Sequence, residues 1–161
     1  MSAIKTHAIS AALMLARILG GGALLLAASL KLQGDPLAFA LSIESFKLLP
    51  NALIPPITYF FPVVEIVLGV ALVAGFWARQ AGLLALGLYI TFTVALASVL
   101  LRGLNVECGC FAGLVGGDKV TWFSVFRNTI FIAATGVVWA LGAGAWSVDR
   151  AMARRGVAQP E

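Results

Sequence analysis

A chain of 161 residues that is 61% hydrophobic and only 11% charged carries more apolar surface than a soluble domain of that size can bury, because soluble domains are about 45–50% apolar and about 25% charged. Its formal net charge of +4 comes from scattered basic residues, three of them in a short polar tail (Arg150, Arg154 and Arg155). This pattern excludes nucleic acid as a partner and indicates a lipid bilayer. Two cysteines and one histidine are too few for a disulfide scaffold or for a zinc site, which usually needs about three or four protein ligands.

Four stretches are long and apolar enough to cross a bilayer, which takes about 20 residues in a helix. They are predicted at residues 8–30, 53–76, 80–101 and 121–146 of a single domain, 1–161. The first exceeds the about 7–15 residues of a signal-peptide core and contains Arg17, so we expect it to be a retained span. The predicted fold class is therefore all-α, a four-transmembrane-helix bundle.

Glycines and alanines suggest how these spans pack. Gly20, Gly21 and Gly22 interrupt the first span, and small residues recur at every fourth position in the fourth, at Gly136, Ala140 and Gly144. Small residues allow helix backbones to approach closely in membranes. We therefore expect a compact bundle rather than four independent anchors.

The loop between the first two spans is predicted to contain a short amphipathic helix on the membrane surface. Asp35 and Pro36 are typical of an N-cap and a first helical position. Apolar residues then recur up to Leu48, and Pro50 ends the run. An apolar face of this kind favours a helix lying in the interface.

Basic residues indicate the orientation of the bundle. An even number of spans places both termini on one side, with Lys5, Arg79, Arg150, Arg154 and Arg155. The opposite side carries Lys31, Lys47, Arg102 and Lys119. Since the more basic side faces the cytoplasm, we predict a multi-pass protein of the bacterial inner membrane with cytoplasmic termini. The loop 102–120 is then periplasmic.

That loop contains both cysteines, as Cys108-Gly109-Cys110. A structural disulfide closing so small a ring would constrain the unfolded chain very little, and strained or exposed pairs are the labile, catalytic ones. We therefore predict a redox-active, catalytic pair. A Cu(I) site held by the thiolates and a structural or incidental role are the alternatives.

Charged residues inside the spans are costly in lipid and are candidates for function. Glu65, Arg127 and Arg17 lie within the second, fourth and first spans, and Asn128 follows Arg127. We predict that Glu65 pairs with Arg127, and also with Arg17, inside the bundle. The alternative is that both arginines extend to the nearest interface. Lys31, at the end of the first span, is interpreted as an interfacial anchor that contributes to the same polar region.

The order of these features resembles the methylamine-utilisation MauE family within the DoxX-like membrane proteins. The resemblance covers nearly the whole chain from Arg17. The residues that carry it are Arg17 with Gly20, Lys31-Leu32, Asp35-Pro36 with Phe39, Leu49-Pro50, Pro62 and Glu65 with Gly69, Gly103, Cys108-Gly109-Cys110-Phe111, and Arg127-Asn128. It implies work beside a periplasmic thioredoxin-like protein, in maturation of the disulfide-rich small subunit of methylamine dehydrogenase.

The leading hypothesis is a membrane thiol–disulfide oxidoreductase in which Cys108 and Cys110 exchange with a partner's thiols through a mixed disulfide. Electrons would pass to or from a membrane carrier such as a quinone. Glu65, Arg127 and Asn128 would form a polar pocket beneath the loop. The alternatives are a non-enzymatic scaffold or assembly factor, whose surface helix docks a partner, and a small transporter formed by a homodimer.

Overall fold

The computed structural model describes residues 3–106, 119–142, 144 and 146–157, and this part of the chain is mainly helical. Its helices are α1 (Ala3–Gln33), α2 (Pro36–Ser45), α3 (Ile54–Ala74), α4 (Ala78–Leu101), α5 (Trp122–Leu141) and α6 (Val148–Val157). A short 3-10 turn, Asn51–Leu53, leads into α3. Four segments are long and apolar enough to cross a membrane, namely His7–Gln33, Asn51–Ala74, Ala78–Leu101 and Trp122–Leu141. The predicted all-α, four-span fold is confirmed.

The outer surface of the bundle is apolar. Large side chains on all four spans, such as Leu15, Phe60, Val94 and Phe126, are 62–64% exposed. In water this much exposed apolar surface would be unfavourable, whereas in a bilayer these side chains face lipid while the helices satisfy their own backbone groups. The chain is therefore a multi-pass membrane protein.

Inside the bundle, α1 packs against α3 and α5, and α4 packs against α5. The central core consists of Leu24, Leu68, Leu72, Ala78, Ala81, Ala85, Tyr89, Phe131 and Val138. Tyr89 donates its hydroxyl hydrogen bond to the carbonyl oxygen of Gly20, 2.7 Å away. This bond joins α4 to α1 inside the bundle.

The helices α1 and α3 cross closely at Gly21 and Gly69. A Cβ atom added to Gly21 would lie 2.9 Å from the Gly69 carbonyl oxygen, and one added to Gly69 would lie 2.7 Å from Leu25 Cγ. The small residues of the first span therefore do permit close packing, although the space beside Gly22 is open. The series in the fourth span behaves differently, because Gly136 has ample room and Ala140 is exposed. Gly144 lies beyond the end of α5.

The ends of α3 and α5 are set by glycines. Gly75 adopts a left-handed conformation with φ of 71° and stops α3, where Phe76 N–H donates to the Ala71 carbonyl as in a Schellman motif. Gly142, with φ of 80°, ends α5 after Leu141. The fourth span is accordingly shorter than the predicted 121–146.

The surface helix α2 begins as predicted. The Asp35 side chain accepts a hydrogen bond of 2.9 Å from Leu37 N–H, and Pro36 occupies the first helical position. The helix ends at Ser45 and is followed by Lys47 at φ of 50°. No residue of α2 is buried, because the helix lies over α3 rather than within the bundle.

The start of α4 is capped by a residue from α6. Asp149 accepts hydrogen bonds from Trp77 N–H (2.8 Å) and Ala78 N–H (3.0 Å) through its two carboxylate oxygens. The Asp149 N–H in turn donates to the Gly75 carbonyl oxygen. These bonds satisfy helix donors that otherwise have no partner in the helix, and they attach α6 to the α3–α4 turn.

We expect Asp149→Ala to destabilise the protein by about 1–2 kcal/mol, the usual loss when a side-chain cap is removed. Asp149→Asn keeps one acceptor oxygen and should lose less. The measurement is SDS-induced unfolding in detergent micelles, followed by circular dichroism. Met152→Ala, at an exposed position of the same helix, is the control. Equal effects of Asp149→Ala and Met152→Ala would show that the cap contributes nothing.

Candidate functional site

The Cys-Gly-Cys motif connects α4 to α5. Cys108 and Cys110 lie outside the residues that the structure describes, so their role stays a prediction. The described chain ends at Val106 and resumes at Lys119, and Val120 N–H donates a 2.9 Å hydrogen bond to the Val106 carbonyl. The two ends of the intervening segment are thus held side by side.

A small apolar cluster supports this junction. It consists of Leu96, Val99, Val106 and Val120, and we call it the loop anchor. Phe46, which follows α2, packs against the loop anchor. The Arg102 guanidinium donates to the Phe46 carbonyl oxygen at 2.5 Å and to the Ser98 carbonyl at 3.1 Å. The cysteine-bearing segment therefore starts and ends at the same end of the bundle as α2.

The same half of the bundle contains a buried ion pair. The Lys31 ammonium donates a hydrogen bond to Glu65 Oε1, and both side chains are almost fully buried. Lys31 Nζ also lies 5.2 Å from the centre of the Phe39 ring and 5.3 Å from that of Phe92, within the range of cation–π attraction. Charge pairing and two aromatic faces together compensate the loss of hydration of the ammonium.

This pair corrects two predictions. The predicted partners of Glu65, Arg127 and Arg17, are wrong, because the ion pair described for Glu65 is with Lys31. The interpretation of Lys31 as an interfacial anchor is also wrong, since Lys31 is only 6% exposed. The reason is that α1 continues to Gln33, beyond the predicted end at residue 30, so Lys31 lies on the inner face of a helix and not in a loop.

Arg17 has a different function at the opposite end of the bundle. Its guanidinium donates to the carbonyl oxygens of Leu72 (2.8 Å), Val73 (2.7 Å) and Trp146 (2.8 Å). The first two belong to the last turn of α3, whose carbonyls have no partner within the helix. Arg17 is 2% exposed, and the partners described for its guanidinium are these carbonyl oxygens and not the Glu65 carboxylate. Arg17 fastens α3 and the segment after α5 to α1.

Arg127 and Asn128 lie in the second turn of α5, near the loop anchor. Asn128 is 6% exposed and shares the buried face of α5 with Ser124 and Phe131. Arg127 is partly buried beside it. The structure thus places Asn128 inside the bundle, in the same half as the loop anchor.

An apolar cavity of about 380 Å³ lies between α2, α3 and α4. Its walls are formed by Phe39, Ser42, Ile43, Phe46, Leu48, Leu49, Ile57, Phe61, Thr91, Phe92, Val94, Ala95, Leu96 and Ser98. Sequence reasoning missed this cavity, because it forms where α2 lies across two spans. The phenylalanines of α2, α3 and α4 were the only sequence feature that could have indicated it. An aromatic residue in a span, however, ordinarily faces lipid or packs in the core.

The arrangement provides a ring-lined apolar space next to an ammonium and a carboxylate. Phe39 and Phe92 line the cavity and also contact Lys31. Lys31 and Glu65 themselves are not among the residues that form its walls, so the space presents an apolar surface that suits an apolar molecule. Among the residues described, no three His, Cys, Asp or Glu side chains are grouped as metal ligands.

The comparisons with known proteins agree with one another. A family model described as methylamine utilisation protein MauE matches residues 9–142. The methylamine utilization protein MauE of Paracoccus denitrificans is 34% identical over 92 residues, which are 56% of this chain and 49% of that protein. That of Methylorubrum extorquens is 35% identical over 101 residues, 62% of this chain and 54% of that protein. The chain thus spans about half the length of these relatives, and no solved structure matches it.

Proposed function

Because the chain belongs to the MauE family, we propose that it acts in methylamine utilisation as a membrane thiol–disulfide redox protein. Its substrate would be a thioredoxin-like periplasmic protein, and through it a disulfide-containing protein of the methylamine dehydrogenase small-subunit type. The observation that carries the proposal is the Cys108-Gly109-Cys110 motif. In the sequence it lies between Val106 and Val120, which are hydrogen-bonded to each other.

The chemistry is an exchange of one disulfide for another. A thiolate of one protein attacks the disulfide of the other, a mixed disulfide forms, and the second thiol releases it. The dithiol loses two electrons and two protons and becomes a disulfide, while the other protein's disulfide gains them. Cys108 and Cys110 suit this reaction because so small a disulfide ring is strained and therefore readily reduced.

The orientation that this function requires has the cysteine-bearing segment in the periplasm. Lys31 belongs to α1 and is paired with Glu65, so it is not counted among the basic residues of the loops. Lys47, Arg102 and Lys119 remain on the cysteine side, against five basic residues on the side of the termini. This difference supports cytoplasmic termini in a bacterial inner membrane.

Trapping the mixed disulfide tests the proposal. In native membranes, Cys108→Ala and Cys110→Ala each leave one cysteine, and we expect at least one of them to hold a thiol protein in a complex that dithiothreitol releases. The double variant should capture nothing, and growth on methylamine should fail while growth on another carbon source continues. The measurement is non-reducing electrophoresis with mass spectrometry of the captured protein.

The control moves a cysteine to a neutral position. Trp122→Cys in the double variant places one thiol at an exposed site of the same bundle end, and it should capture no partner. Growth on methylamine that survives removal of both cysteines would contradict the redox proposal. It would favour a scaffold or assembly factor that docks partners through α2.

A further inference from the structure

We infer that the cavity between α2, α3 and α4 binds an acyl chain of an anionic phospholipid, with the lipid phosphate held by Lys47 and Arg102. Phe46 and Leu96 belong both to the cavity wall and to the surroundings of the loop anchor, and we call this end of the cavity its mouth. The inference goes beyond the proposed function, because it involves neither cysteine.

The walls of the cavity suit a hydrocarbon chain. The three hydroxyl groups of the lining, those of Ser42, Thr91 and Ser98, donate to carbonyl oxygens of their own helices. The walls therefore offer aliphatic and aromatic contact rather than free hydroxyl donors. Along α4 the lining extends from Thr91 to Ser98, about 10 Å at 1.5 Å per residue. Because α4 is a span, the cavity is elongated in the direction in which acyl chains run.

One face of α2 covers the cavity. Phe39, Ser42 and Ile43 contribute to the lining, and their spacing of three and four residues places them on a single side of the helix. The one acidic residue of α2, Glu44, is exposed and does not belong to the lining. The covering helix distinguishes this cavity from the open lipid-facing surface of the spans, and it presents no carboxylate to the cavity.

Two basic residues lie at the mouth. The Arg102 guanidinium donates to the carbonyl oxygens of Phe46 and Ser98, which belong to two different walls. Lys47 is exposed and stands in the chain between Phe46 and Leu48, which both line the cavity. In the part of the chain that the structure describes, neither cation forms a salt bridge. Ammonium and guanidinium groups are the usual partners of phosphate oxygens in proteins.

An apolar cavity with a cationic mouth selects its occupant by charge. An anionic phospholipid supplies a chain for the cavity and a negatively charged headgroup for the two cations. A zwitterionic phospholipid carries an ammonium group of its own, which offsets the attraction. A neutral molecule, or an apolar helix of a second copy of this chain, would gain nothing from Lys47 and Arg102. The charge at the mouth therefore favours the anionic lipid.

The test compares two lipids that differ only in the headgroup. Purified, delipidated protein in detergent is titrated with dioleoylphosphatidylglycerol, which is anionic, or with dioleoylphosphatidylcholine, which is zwitterionic. Native mass spectrometry counts the bound lipid. We expect one phosphatidylglycerol to bind at least about tenfold more tightly than phosphatidylcholine. Lys47→Gln and Arg102→Gln should each reduce this preference about fivefold, equivalent to about 1 kcal/mol, whereas Arg102→Lys should retain most of it.

Two matched controls accompany these variants. Arg79→Gln removes a positive charge from an exposed position at the opposite end of α4 and should leave the preference unchanged. Ala95→Phe places a ring in the cavity and should weaken binding of both lipids at least about tenfold, equivalent to about 1.4 kcal/mol. Ala140→Phe, at an exposed position of α5, should bind both lipids as the unaltered protein does.

Equal binding of the two lipids, or a preference that survives both glutamine variants, would overturn the inference. So would unchanged binding by Ala95→Phe, because the lipid would then lie elsewhere on the bundle. Loss of the preference in Arg102→Lys but not in Lys47→Gln would show that Arg102 only holds α2 in place. A dimer that Ala95→Phe dissociates would show that a second copy of the chain fills the cavity instead.

Discussion

Replacing Lys31 by methionine is expected to destabilise the protein by about 3–5 kcal/mol, the cost of leaving one charge of a buried pair uncompensated. Glu65 would keep its buried position but lose its ammonium partner. Because the bundle is surrounded by lipid, water could not replace that partner. The measurement is the free energy of unfolding in mixed detergent and SDS micelles. Glu65→Met should cost a similar amount, because it leaves the Lys31 ammonium between two rings without a carboxylate.

The double variant decides whether the two side chains act as a pair. Replacing a buried ion pair by apolar residues of similar volume is often neutral, so Lys31→Met with Glu65→Met should be more stable than either single variant. Lys119→Met, at an exposed position outside the spans, is the control and should change stability little. If the losses of the two single variants simply add, the residues do not stabilise each other.

The second large effect is expected at the crossing of α1 and α3. Gly21→Ala puts a methyl group 2.9 Å from the Gly69 carbonyl oxygen and 2.9 Å from Leu72 Cβ. Neither a backbone oxygen nor a Cβ atom can move away by a side-chain rotation. The helices must therefore separate, at a cost of about 1–3 kcal/mol. The same unfolding measurement should detect this loss.

The adjacent glycine gives a matched control. A Cβ at Gly22 meets nothing within 4 Å, and alanine is favoured over glycine in a helix by about 1 kcal/mol. Gly22→Ala should therefore be neutral or stabilising, although it makes the same chemical change one position away. If Gly21→Ala and Gly22→Ala have the same effect, the crossing does not depend on the close approach at Gly21.

The sequence by itself determined the features that depend on local composition or on neighbouring residues. The number of spans follows from hydropathy, because a bilayer fixes how many apolar residues a helix needs. The start of α2 follows from Asp35 and Pro36, since an N-cap acts on the helix directly after it. The cysteine motif was visible as a motif for the same reason, being contiguous in the chain.

The tertiary structure alone decided which charged residues meet. Lys31 and Glu65 are 34 positions apart, and their contact depends on the rotation and relative height of two helices. The predicted end of the first span at residue 30 placed Lys31 at the interface. Because α1 continues for three more residues, Lys31 lies inside the bundle. Arg17 lies among carbonyl oxygens of α3 for a similar reason: a backbone acceptor carries no signature in the sequence. The cavity exists only because α2 lies across α3 and α4, a relation between surfaces that no single segment of the chain encodes.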